Sequence, residues 1–171
     1  MEKQAAGYAG AEWTIVRASW FCQNFSEGVF LEPILAGHVA LPAGDVGEPF
    51  VDTDDIADVA VAALTEEGHH KKIYEVTGPR LLTFKDAVAE IAKATGKQIQ
   101  YEQIPMPDYA AALTEYAVPP DVISLITYLF TEVLDGRNAK ITNGVEQALG
   151  RKPTDFSEYV RKTVATGVWG Q

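Results

Sequence analysis

Residues 13–19 read Trp-Thr-Ile-Val-Arg-Ala-Ser, a short run rich in Thr, Ile and Val. Such a run predicts a buried strand. The period then changes. After Asp52-Thr-Asp54-Asp55, the apolar positions Ile56, Val59, Ala60, Ala63 and Leu64 follow at helical spacing. They predict one buried helical stripe, and the carboxylates before it can accept hydrogen bonds from first-turn N–H groups. Strands and helices alternate along the rest of the chain, so the expected fold class is α/β.

The remaining elements are read in the same way. Residues 20–36 predict an aromatic loop passing into a helix that stops at Gly37, and residues 39–51 predict short extended pieces joined by turns. Lys72–Pro79 alternates and then turns, a second strand. Thr83 with Asp86 predicts a capping-box start to a helix ending at Gly96. Ile99, Tyr101 and the residues to Ile104 predict a third strand. Helices are expected over 108–117, from Asp121 to Gly136, from Asn143 to Gly150, and after Pro153-Thr154. With 171 residues and no internal repeat, one α/β domain over 1–171 is expected.

Composition excludes several functions. The net charge of −10 argues against direct nucleic-acid binding, which needs a basic footprint. No apolar run approaches the roughly 20 residues of a membrane helix. The N-terminal Met-Glu-Lys-Gln-Ala-Ala-Gly has no apolar signal core, so a cytoplasmic location is expected. A single cysteine, Cys22, fits a reducing compartment, and with no neighbouring His or Lys in sequence it is expected to be a buried, inert thiol.

The chain resembles the NmrA-like branch of the atypical short-chain dehydrogenase/reductases, and more narrowly the bacterial ergot-alkaloid-biosynthesis-type subgroup. The residues that carry the resemblance are Trp13–Phe21, Gln23-Asn-Phe25, Val39–Asp45, Pro49–Val59, Tyr74–Pro79, Leu82-Thr-Phe84 and Leu149–Pro153. The resemblance implies a Rossmann-like NAD(P)-binding fold whose first half holds the cofactor on a glycine-rich turn. G-x-G-x-x-G does not occur in this chain, and no tyrosine has a lysine four residues later. The expectation is therefore the C-terminal, substrate-binding part of the fold: the last strands and a helical lobe, lacking the glycine-rich half. NAD(P) is the implied cofactor, and its binding by this chain alone is not expected.

By the same resemblance, Ala18, Ser19, Trp20 and Phe21 would lie beside the nicotinamide, although many family members have Pro where Ala18 stands. The residues alone also permit a strand end whose aromatics enter the core. Gln23 and Asn24 offer hydrogen bonds to a ligand, or Asn24 caps the following helix. Trp20, Phe25, Phe30, Phe50, Tyr128 and Phe130 are candidates for an apolar substrate pocket, although aromatics at helical spacing are more often plain core. No catalytic residue is assigned. No metal site is expected: Ala57 stands where a calcium loop from Asp52 needs Gly, and His69-His70 reads as a solvated turn.

The expected function is the substrate-binding half of an NAD(P)-dependent oxidoreductase, not competent in catalysis by itself, taking a small apolar or aromatic ligand. Two alternatives stand beside it. One is a stand-alone binding module that self-associates through the sheet edge at 13–19. The other is a redox-sensing regulator acting through a protein partner.

Overall fold

The computed structural model describes residues 12–170. Its four strands are β1 (Thr14–Ala18), β2 (His38–Leu41), β3 (Lys72–Val76) and β4 (Gln100–Gln103). They pair in parallel as β1 with β3 and β2 with β4, in register Val16 to Tyr74 and Val39 to Tyr101. Parallel pairs need long crossovers, and helices supply them. In chain order these are α1 (Leu31–Ala36), α2 (Thr53–Thr65), α3 (Phe84–Thr95), α4 (Met106–Glu115), α5 (Pro120–Tyr128), α6 (Gly144–Leu149) and α7 (Phe156–Val164). The α/β class is the one expected. Among the described residues, β1 has no strand partner other than β3, so its outer edge is unpaired there.

Local signals place most helix ends. Asp52 caps α2 by accepting from Asp54 N at 3.1 Å. Thr83 and Asp86 form the expected capping box on α3. Gly37, Gly96 and Gly150 end their helices in the left-handed conformation that glycine adopts without strain. Two helices differ from expectation. The one expected over 108–117 runs 106–115, because Pro107 belongs in a first turn. The one expected to continue to Gly136 stops at Tyr128 and widens into a π turn, Leu129–Val133, with Leu134 N bonded to Leu129 O at 3.0 Å. That turn buries Phe130 and Leu134, while Leu129 and Val133 line a surface groove.

Two apolar clusters organise the interior. Val16, Tyr74 and Val76 meet Val51, Val59 and Val145, so α2 and α6 cover one face of β1–β3. The larger cluster is aromatic. Phe50 meets Phe25 and Phe84 edge-to-face at 5.3 and 5.1 Å between ring centres, Phe25 and Phe84 are tilted at 6.1 Å, and Phe156 lies 5.6 Å from Phe25. Burying each such ring contributes about 2–3 kcal/mol. Trp169 closes the cluster and donates its indole N–H to Phe25 O at 2.8 Å.

Candidate functional site

β1 ends at Ala18, and the backbone then turns across the edge of the aromatic core. Ser19 N donates to Val76 O at 3.1 Å, Val51 N to Trp20 O at 2.9 Å, and Cys22 N to Val51 O at 2.9 Å. The turn is thus clamped between β3 and the 48–51 segment. That segment is held in turn by Gly78, whose N–H donates to Pro49 O at 3.0 Å. A Cβ at Gly78 would sit 2.0 Å from Phe50 O, so only glycine permits this approach.

A groove of about 540 Å³ opens over the turn. Ala18, Ser19, Trp20, Phe21 and Asn24 line it together. Residues not singled out in the sequence form the rest. Leu129 and Val133 from the π turn are apolar walls, and Glu48, Thr77 and Thr142 are polar ones. Thr142 N donates to Thr77 Oγ1 at 3.0 Å, which ties the 138–142 segment to the end of β3. Arg17 and Lys140 also line the groove, and both face Glu75, at 3.7 and 3.1 Å.

The other candidate residues lie elsewhere. Phe25 and Phe50 are 0% and 2% exposed and belong to the core, because their rings are enclosed by Phe30, Phe84 and Phe156. Phe130 is buried beside Trp20, with ring centres 5.5 Å apart, and does not line the groove. Tyr128 is exposed and does not line the groove. Gln23 is engaged with the start of α2: its Nε2 donates to Asp52 Oδ1 at 2.7 Å and its Oε1 accepts from Thr53 N at 3.0 Å. Asn24 does not cap α1, whose cap position is Phe30 and which has no side-chain cap. Aromatics at helical spacing carry no sign of which ring faces solvent, and only the tertiary contacts separate them.

Cys22 is fully buried, and burial together with Asp52 and Asp55 pushes its thiol well above the usual range. His69 is not in a solvated turn; it is buried and hydrogen-bonded through Nδ1 to the Tyr74 hydroxyl at 2.8 Å. Among the described residues there is no group of three His, Cys, Asp or Glu side chains arranged to hold a metal, and no helix is long and apolar enough to cross a membrane.

The most informative groove residue is Glu48. It is 1% exposed, and Oε1 has no hydrogen-bond partner among the described residues. Oε2 lies 3.4 Å from Ser19 Oγ, a long and weak contact. Burial raises the pKa of this carboxyl, and the Ser19 hydroxyl only partly offsets that.

Known proteins resemble this chain in sequence and in fold. Agroclavine dehydrogenase of Claviceps fusiformis is 32% identical over 154 residues, covering 88% of this chain and 53% of that protein. Prestalk A differentiation protein A of Dictyostelium discoideum is 28% identical over 155 residues, covering 91% and 52%. The chain thus spans about half the length of these curated relatives. Among solved structures, the NADPH-dependent quinone oxidoreductase QOR2 of Escherichia coli in complex with NADPH superposes with a TM-score of 0.82 at 26% identity, over 95% of this chain and 57% of that one. The motifs around the groove and the fold agree with a family match over residues 5–160: the chain belongs to the NmrA-like family.

Proposed function

We propose that this chain supplies the substrate face of an NmrA-like NAD(P)H-dependent oxidoreductase site, and that the groove over Ala18–Phe21 receives a small, flat, uncharged ligand beside the nicotinamide. One observation carries the reading: the turn that the family resemblance ties to the nicotinamide lines a single groove with Asn24 and the apolar Leu129 and Val133. Bound NAD(P)H would supply the hydride; the protein's part is position and exclusion of water. The residues suit the uncharged ring end of that cofactor. Ser19 offers a polar contact there, and Trp20 offers a ring face. They do not suit its pyrophosphate. The sequence has no glycine-rich phosphate turn, and the two cations of the groove, Arg17 and Lys140, both face Glu75.

The reading is tested with an aromatic ketone, 1-indanone, titrated against the purified chain. Saturable quenching of tryptophan fluorescence is expected, lost in Trp20→Phe, together with no NADPH oxidation above the protein-free rate when a quinone is added. Sustained NADPH turnover by this chain would contradict the assignment of a substrate face alone, and quenching that survives Trp20→Phe would remove the groove from it.

A further inference from the structure

We propose that the outer edge of β1 is the contact surface for a second copy of this chain. The two copies join antiparallel about a two-fold axis at Val16, so that β1 and α2 of one meet β1 and α2 of the other.

Two exposed features lie side by side at this edge. The first is the strand itself. Trp13 O accepts from Lys71 N, and Ser19 N donates to Val76 O. The odd-numbered positions thus direct their backbone groups to β3, and alternation turns those of Thr14, Val16 and Ala18 outward. Among the described residues no strand meets them. Strand edges are commonly protected by proline, lysine or a bulge. Thr14–Ala18 has no proline, no lysine and no break in its register with β3. The second feature is on α2. Of the stripe that helical spacing predicts, only Val59 is fully covered. Ile56, Ala60 and Ala63 are half-buried, and Leu64 is 85% exposed. Asp55 and Asp58 turn toward Arg151, on the side of α2 that packs against α6. Helical spacing sets Ile56, Ala60, Ala63 and Leu64 on the opposite flank, beside the open edge of β1.

Self-complementarity selects the occupant. Thr14, Val16 and Ala18 are symmetric about Val16. A two-fold axis there, normal to the sheet, sets Thr14 opposite the partner's Ala18 and Val16 opposite the partner's Val16, so each outward N–H meets an outward C=O. The charges agree with this register. On the other face, Arg17 stands opposite the partner's Ile15 and diagonal to the partner's Trp13, within reach of a cation–π contact. No two like charges are directly opposed, and Arg17 keeps Glu75 at 3.7 Å. Strand spacing then positions the helices. α2 belongs to the crossover from β1 to β3 and covers that pair, so its copy lies two strand spacings away, about 10 Å. Helices pack at that distance, and the small side chains of Ala60 and Ala63 permit it. One rotation therefore covers both exposed features and needs no other polypeptide.

The experiment is sedimentation equilibrium of the full chain over about 1–100 µM. Near-ultraviolet circular dichroism verifies that each variant is folded. The chain is expected to sediment at twice its mass, and to associate more tightly as salt rises, because each copy carries a net charge of −10. Leu64→Lys is expected to weaken the dimer by about tenfold or more. Register is read by cross-linking, with Ile15→Cys and Arg17→Cys prepared as separate single variants. Directly opposed positions that exchange no hydrogen bonds have Cα atoms about 4.5 Å apart, within disulfide reach, whereas diagonal positions about 7–8 Å apart are not. Oxidising the mixture is expected to link one variant to the other, and neither variant alone is expected to link to itself. Cys22 is fully buried and does not compete. A monomer at every concentration would overturn the second copy and leave the edge to a strand from another polypeptide. A dimer that Leu64→Lys leaves unchanged, or one that cross-links in each single variant as readily as in the mixture, would overturn this interface.

Discussion

Two buried acids seven residues apart live in opposite surroundings. Asp55, in the first turn of α2, is 0% exposed, yet its oxygens are fully engaged: Arg151 reaches Oδ1 at 2.6 Å and Thr154 N donates to Oδ2 at 2.6 Å. Glu48 is 1% exposed, with one oxygen weakly bound and the other without a partner among the described residues. The first is a structural junction that fastens the Arg151–Thr154 segment, just before α7, onto α2. The second is a polar group left unsatisfied at the wall of a groove. Burial alone therefore does not reveal how an acid is satisfied in this molecule. What distinguishes them is whether the chain itself completes the hydrogen bonding.

Three substitutions probe that contrast. The largest loss is expected for Arg151→Ala, which leaves the Asp55 carboxylate buried without its cation and also frees Asp58, 2.5 Å from the same guanidinium. Urea denaturation should show a loss of about 3 kcal/mol, and a loss below about 1 kcal/mol would deny the junction its structural role. Gln23→Ala comes next. It removes the two bonds from Gln23 to the start of α2 but leaves Asp52 still accepting from Asp54 N. A loss of about 1–2 kcal/mol is expected in the same titration. Glu48→Gln is the smallest, with a change of about 1 kcal/mol or less near pH 5. Its sign should depend on pH. A carboxyl whose pKa is raised in the folded state contributes stability that is complete below its unfolded pKa and is lost as pH rises through its folded pKa. Glutamine does not titrate, so melting curves at increasing pH should move in favour of the variant. A constant difference across pH would mean that Glu48 is an ordinary ionised side chain.

The same contrast explains what could be read from the residues in order. Asp52, the Thr83–Asp86 box and the glycines at 37, 96 and 150 act within a few positions of themselves, so their roles are visible locally. The family resemblance singles out the turn at 18–21, and the structure gathers all four residues into one groove. Asp55 read as one more cap because its partner Arg151 is 96 positions away. Glu48 gave no signal, since its burial is created by a bridge to Leu82 and a turn from β1. Phe25 and Phe50 carry the same chemistry as Trp20, and only packing decides that the first two face inward while the third reaches the groove. His69 departs from the expected solvated turn for a similar reason, because Tyr74, five positions on, hydrogen-bonds its ring.

The order of strand pairing has a consequence for how the chain reaches its fold. β1 joins β3 and β2 joins β4, so the two pairings interleave along the sequence. The paired positions Thr14 and Lys72 are 58 residues apart, and His38 and Gln100 are 62 apart. No hairpin exists among these pairs to nucleate either sheet, and each must close a long loop before any strand contact rewards it. A break between β2 and β3 would give each piece one strand of both sheets and a complete set of neither. Both sheets therefore need residues from either side of such a break, and the groove, lined by the ends of β1 and β3, draws on both sides as well.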